Sequence, residues 1–320
     1  MALSQRKRGQ GYHKRAQLAG MDTQKKAYSF VILAVILWST VASAFKISLR
    51  YVDYLELLLY SSFFSTFIIF AVLLIQRKLY LLRTYSTKDL LFAAFLGFLN
   101  PFLYYIVLFK AYSILPAQEA ITLNYTWPLM LVLLSIPLLK QKIKLLSIVA
   151  IIISFFGVII IATRGNIAGL SFSDLKGDLL PLSSAVIWAL FWIFSLKDKH
   201  DVVVKLFVSF CFGLFFSIGL IIVRSTFVGF SLPNIKGVLG SAYVGFFEMG
   251  LPFIVWLSAL KYAKTTAQVS NFIYITPFLS LFLVSIVVGE KILFSTIIGL
   301  VFIIAGIILQ RYTNPIRKNI

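Results

Sequence analysis

Histidine and cysteine are nearly missing from this chain of 320 residues, which has two histidines (His13 and His200) and one cysteine (Cys211). A single cysteine excludes an intramolecular disulfide, and neither residue type recurs at a metal-binding spacing. No HExxH, GxSxG, phosphate-binding loop or dinucleotide fingerprint is present. No catalytic residue, metal ligand or cofactor is therefore expected. Charge is also scarce: 11 acidic residues stand against 30 Lys and Arg, and charged residues make up 13% of the chain. A soluble domain carries about 25%.

What remains is apolar, at 60% of the residues, with a mean hydropathy of +0.94. About 20 helical residues cross a hydrocarbon core of about 30 Å. Runs of that length recur along the whole sequence, so the expected fold is an all-α membrane protein with the lipid bilayer as its solvent. Ten helices are predicted, over 28–49, 55–76, 88–110, 116–139, 143–163, 178–197, 202–224, 235–260, 266–288 and 291–311. Residues 1–27 read as a disordered, basic cytoplasmic tail, 28–163 and 178–311 as two five-helix repeats, 164–177 as a polar linker and 312–320 as a second tail.

The net charge of +19 does not point to nucleic acid, because the basic residues sit in short segments between apolar runs and form no continuous face. With the N-terminus inside, segments such as Arg77–Lys78, Lys140–Lys144 and Lys197–Lys199 face the cytoplasm. Only Arg50, Lys110, Arg164, Lys176, Arg224, Lys236 and Lys291 face outward. That roughly threefold bias obeys the positive-inside rule. It predicts a multi-pass protein of the plasma (inner) membrane with both termini cytoplasmic.

Residues 117–128 read AQEAITLNYTWP and residues 267–277 read AQVSNFIYITP, about 150 positions apart. Pro101 and Pro252 echo each other in the same way. The chain is read as a duplication. Five helices per half is an odd number, so the second half is inverted, a frame common in secondary transporters with a site near the midplane.

Polar residues inside the spans are few, and a central charge costs about 2.5–3.5 kcal/mol on insertion scales. Asn124 and Trp127 are three apart and share a helix face, with Tyr125 beside them and Pro128 breaking the backbone ladder at the Asn124 carbonyl. That pattern fits a solute-lined kink, or an Asn that repairs the opened backbone. Asn100 and Tyr104 share a face beside Pro101, and Tyr105 extends it. Trp188 and Trp192 are four apart on the sixth helix. Together with Trp127, Tyr104 and Tyr105 they could form a cage for flat apolar or cationic groups. Glu119 and Glu248 are the candidate proton-coupling residues. Glu119 lies in the first turn of its helix, where the dipole favours a carboxylate without any further role. Lys46, near the end of the first helix, is expected to snorkel outward.

The stretches WSTVASAFK (38–46), FKAYSILPAQEA (109–120), PFLSLFLVSIVVGEK (277–291) and IIGLVFIIAGIIL (297–309) resemble the EamA-type, ten-helix drug/metabolite transporter superfamily over residues 28–311. PAQEAITLNYTWP (116–128) is similar to the branch that contains bacterial aromatic amino-acid exporters. The resemblance implies ten helices around a central cavity and substrate-facing aromatics at Tyr104, Tyr125, Trp127 and Trp188. A histidine common in the exporters' third helix aligns here with Tyr105. The first half ends its fourth helix in LLKQKIK, where the second half has the family's Gly289-Glu290 turn. The expected function is secondary transport of a small-molecule solute by alternating access, foremost export of amino acids with aromatic preference. The alternatives are a nucleoside-bearing metabolite such as S-adenosylmethionine, or cationic drugs. A membrane-embedded enzyme or assembly factor would need a catalytic dyad or metal set, and the sequence offers neither.

Overall fold

The structure is a computed structural model that describes residues 2–139, 145–166, 174–228, 233–263 and 271–313. These residues form ten apolar helices in chain order: α1 (Ala2–Ser48), α2 (Tyr54–Ile75), α3 (Thr87–Ile114), α4 (Ala117–Leu138), α5 (Leu145–Ala162), α6 (Leu175–Ser195), α7 (Val202–Val228), α8 (Ile235–Tyr262), α9 (Phe272–Val288) and α10 (Phe294–Thr313). Seven are long and apolar enough to span a bilayer, and three shorter apolar segments complete the set at Ile148–Ala162, Phe272–Val288 and Phe294–Leu309. Among the described residues there is no strand. Of the expected linker, residues 167–173 lie outside the described residues, as do 140–144 and most of the C-terminal tail.

At the N-terminus α1 runs from Ala2 to Ser48, and its apolar portion begins at Thr23. The stretch before it has no proline and is rich in Gln, Lys, Arg and Ala, good helix formers that stand against three glycines, Gly9, Gly11 and Gly20.

The packing of the helices carries the duplication into three dimensions. α1 packs on α8 as α6 packs on α3, α9 packs on α1 as α4 packs on α6, and α8 packs on α2 as α3 packs on α7. α2 packs on α7, and α5 on α10. Exchanging the first five helices for the last five reproduces these pairs, so the halves are related by an approximate two-fold. The pairs α2·α7 and α5·α10 lie on its axis.

Both axial pairs have matched chemistry. Asp53 caps α2, accepting from the N–H groups of Leu55 and Glu56 at 2.8 and 3.0 Å, and it also pairs with Arg224 near the end of α7. Asp201 caps α7, accepting from Val203 N–H at 3.0 Å, and pairs with Lys78 just past α2 at 2.7 Å. Each N-cap carboxylate thus binds the basic residue at the opposite helix's C-terminal end, as both helix dipoles favour. Partial burial pushes the Asp201 carboxyl up, but the Lys78 hydrogen bond, its charge and the capping N–H groups outweigh this and hold it below the usual carboxylate value. A lowered native pKa means that this clamp is complete above the ordinary carboxylate range and is lost as pH falls through the lowered value. Beside it, the Tyr85 ring stacks on His200 at 4.1 Å, and Asp198 holds the His200 Nδ1 at 2.8 Å.

The other axial pair relies on small residues, which let helices approach closely in lipid. A Cβ on Gly157 would collide with the Gly299 carbonyl. One on Gly299 would lie 2.7 Å from the Gly157 carbonyl, and one on Gly306 would lie 2.5 Å from the Ala150 carbonyl. Gly157→Ala should therefore lower the thermal unfolding midpoint of the detergent-solubilised protein by the equivalent of about 1–3 kcal/mol, the usual cost of overpacking. Gly219→Ala is the control. A Cβ there meets nothing within 4 Å, so it should leave the midpoint unchanged or raise it, since alanine is the better helix former.

Candidate functional site

Two helices are broken at corresponding places. α3 contains a π-turn over Phe98–Leu103 around Pro101, with Asn100 at φ −149°, ψ 121°. α8 contains a π-turn over Gly245–Gly250, just before Pro252. Proline removes a backbone donor and crowds the preceding turn, and in a membrane such breaks are tolerated only where protein surrounds them. The Asn100 side chain is fully buried, and neither its Oδ1 nor its Nδ2 has a partner among the described residues.

Around these breaks the structure brings most of the expected residues together. The Tyr104 and Tyr105 rings meet edge to face at 4.7 Å, and Tyr104 lies 4.6 Å from the Trp188 ring of α6. Trp188 in turn contacts Trp192 at 5.9 Å and Phe253 of α8 at 5.4 Å. Trp38 of α1 continues the cluster, 6.2 Å from Phe253 and 5.8 Å from Trp256. The Tyr105 hydroxyl donates to Glu248 Oε1 at 3.1 Å, while Glu248 Oε2 is buried with no partner among the described residues.

Asn124 resolves one ambiguity of the sequence. Its Nδ2 donates to Ser184 Oγ at 2.8 Å, and its Oδ1 accepts a long 3.4 Å bond from the Tyr104 hydroxyl. The side chain therefore bridges α3, α4 and α6 and does not repair the backbone. The ladder opened by Pro128 becomes a turn at Tyr125–Thr126, where Thr126 N–H reaches Leu123 O at 3.2 Å. Tyr125 packs on the main core beside this turn. Trp127 lies where α4 meets α6, among Met130, Ala185 and Ala189, and makes no ring contact with Tyr104 or Trp188.

Glu119 is held apart from this cluster. It is 1% exposed, and Arg164 donates Nε to its Oε1 at 2.6 Å and Nη2 to its Oε2 at 3.3 Å. Lys46 does not snorkel outward; its Nζ donates to the carbonyls of Tyr112 at 2.9 Å and Leu115 at 2.6 Å, the last acceptors of α3. Those carbonyls supply acceptors to an ammonium that is half-buried.

At the end of the bundle that carries Arg50, a cavity of about 430 Å³ is lined by Lys46, Arg50, Tyr112, Ser113 and Glu290 among others. A buried aromatic plug separates it from the central cluster. Tyr105 contacts Phe109 at 5.1 Å, and Phe45 contacts Phe109 at 4.9 Å and Tyr112 at 5.0 Å. Across this end, Glu290 joins the halves by accepting from the N–H groups of Ala117 and Gln118 at 2.9 and 3.3 Å. The Gln118 side chain answers with bonds to Lys291 O, Leu293 N–H and Thr296 Oγ1 at 2.8–3.0 Å.

Sequence reasoning missed Ser184, Phe253 and Trp256. Ser184 carried a usable signal, because it stands four before Trp188 on one face of α6. Phe253 and Trp256 did not, being aromatic residues in an apolar helix rich in them.

The EamA-like transporter family matches residues 25–163 and 175–312, once for each half. An uncharacterized transporter of Clostridium kluyveri is 30% identical over 303 residues, covering 91% of this chain and 94% of the relative. One from Archaeoglobus fulgidus is 24% identical over 289 residues, covering 89% and 96%. A solved crystal structure, 21% identical, superposes with a TM-score of 0.60 over 89% of this chain and 96% of the other, which shows a shared fold.

The contact between the halves makes a direct prediction. Glu290→Ala leaves two N–H groups at the start of α4 without their acceptor. Hydrogen–deuterium exchange over residues 117–120 should quicken by about tenfold or more, the scale of a hydrogen bond to a charged group. Lys291→Ala, which keeps the backbone carbonyl that Gln118 uses, should change it little.

Proposed function

The chain belongs to the EamA-like transporter family, and from that membership we propose that it is a secondary transporter of the plasma membrane. It moves a small organic solute by alternating access, foremost as an exporter of amino acids with aromatic side chains. Both termini lie in the cytoplasm in this reading. The solute sits among Tyr104, Tyr105 and Trp188, with Asn124 as the hydrogen-bonding group and Tyr125 and Trp127 on the adjoining wall of α4.

One observation carries the reading: helices α3 and α8, broken at equivalent places in the two halves, meet at a buried aromatic cluster with polar atoms left unpaired. Interrupted helices in corresponding positions of inverted repeats are the usual mark of a midplane site. Flat rings at ring-stacking distances suit an aromatic solute. The aromatic plug and the Glu290 contacts close the Arg50 end, as one half of an alternating-access cycle requires. A nucleoside-bearing solute such as S-adenosylmethionine would use the same rings, and competition between solutes separates the two.

Proton coupling is assigned to Glu248. Both Glu119 oxygens are committed to Arg164, while Glu248 keeps one oxygen free.

In proteoliposomes loaded with labelled phenylalanine or tryptophan, the wild-type protein should release solute well above protein-free vesicles. Trp188→Ala should cut that rate by about tenfold or more, since stacked aromatic contacts and burial are lost together. Release no faster than from empty vesicles would end the amino-acid reading. An imposed proton gradient should stimulate wild type and Glu119→Gln but not Glu248→Gln; equal stimulation of all three removes Glu248 from the coupling.

A further inference from the structure

The acidic residues of the spans fall into two groups. Glu56, Asp89, Glu119 and Asp178 each stand in the first turn of α2, α3, α4 and α6, where the positive end of the helix dipole favours a carboxylate, although both Asp178 oxygens are buried without a partner among the described residues. Glu248 alone stands at the middle of its span, Ile235–Tyr262. It is buried, and its Oε2 has no partner among the described residues.

Among the described residues no cation pairs with it. None of the ion pairs among the described residues includes Glu248. Two half-buried lysines within spans are held at opposite ends of the bundle. Lys46 bonds to the carbonyls of Tyr112 and Leu115, and Lys205 bonds to those of Ser195 and Asp198 at 3.1 and 3.3 Å. Among the described residues the center therefore offers one free carboxylate oxygen, on the residue that Tyr105 joins to the rings of Tyr104 and Trp188, and no positively charged group paired with it. Aromatic faces attract cations, more strongly when water is excluded. An ionisable group at this depth is retained for a partner.

We infer that Glu248 is the specificity-determining residue that receives the protonated amino group of the solute, so that the site takes aromatic amines, with or without a carboxylate, and rejects aromatic acids. The inference rests on the reading of the central cluster as the solute site. A solute carboxylate would meet Glu248 and find no cation, so it adds nothing to recognition. The amine and the ring are the two features the site matches. Tyr105 positions the carboxylate by holding Oε1, leaving Oε2 for the ligand.

Three indole compounds of one size and different charge test this: tryptamine (cation), tryptophan (zwitterion) and indole-3-propionate (anion). Binding of labelled tryptamine to the full chain in nanodiscs is measured by equilibrium dialysis at pH 7, with the other two as competitors. In the wild type, indole-3-propionate should need at least about tenfold more than unlabelled tryptamine for half-displacement, the scale of one charge-assisted hydrogen bond. Tryptophan should compete at least as well as the acid. Glu248→Asp should keep the preference for the amine, and Glu248→Gln should erase it. Equal competition by amine and acid in the wild type, a comparison that needs no variant to fold, overturns the inference and leaves the solute site standing. So does an undiminished preference in Glu248→Gln. If tryptamine does not bind and neither competitor is moved in vesicles, the solute site itself falls, and the inference with it.

Discussion

Hydrocarbon supplies no hydrogen bonds, and the two proline-associated breaks in the long helices are placed to meet that constraint. The breaks in α3 and α8 lie inside the bundle, against α7 and α2, where glycines make room: a Cβ on Gly213 would lie 2.5 Å from the Pro101 ring, and one on Gly245 would lie 2.6 Å from the Ser61 carbonyl. The exposed carbonyls at the end of α3 are taken by Lys46, and the open N–H groups at the start of α4 by Glu290. Only after these claims are met do polar atoms remain free, and Asn100 and Glu248 are among them. The candidate site is the residue of that accounting: polar capacity held at depth and not consumed by the fold.

The axial pairs explain how such a site can sit between two halves without loosening them. α2·α7 is closed at both ends by an N-cap aspartate bound to a basic residue, and α5·α10 by glycine-mediated contact. Both kinds of contact are short and depend on fixed geometry. The remaining six helices supply the aromatic and polar side chains, and beside hydrogen bonds such as Asn124 to Ser184 and Tyr105 to Glu248 their contacts include rings at 4.6–6.2 Å, which are less directional. Rigidity on the axis and adaptable packing around it is the division of labour that relative movement of two halves needs.

Much of this was legible in the sequence, and what was not has physical reasons. Helix number and placement follow from apolar run length, which the bilayer sets directly. Pro101, Pro252, Tyr104 and Trp188 stand out because proline and mid-span tyrosine or tryptophan are conspicuous in an apolar helix. Pairing between distant helices leaves no such trace. The bond from Tyr105 to Glu248 joins residues 143 positions apart, and Glu119 finds Arg164 45 positions away; the depth of each acid in its helix was legible, its partner was not. Trp127 had the right spacing from Asn124, yet the turn at Tyr125–Thr126 rotates the second part of α4, so helical spacing across it no longer implies a shared face.

The same turn of sequence that carries Glu290 shows how far the duplication has diverged. Between α9 and α10 the chain reads Gly289-Glu290-Lys291, and the carboxylate joins the second half to the start of α4 in the first. The corresponding stretch between α4 and α5 reads Lys140-Gln141-Lys142 and has no acid to offer. An anion at a helix N-terminus is stabilising and a cation there is not. The two ends of a frame that is symmetric in its helix packing are therefore unequal in their closing chemistry. Of the two matching turns of the duplicated frame, only the one at Glu290 carries a carboxylate that can accept from the helix start of the opposite half.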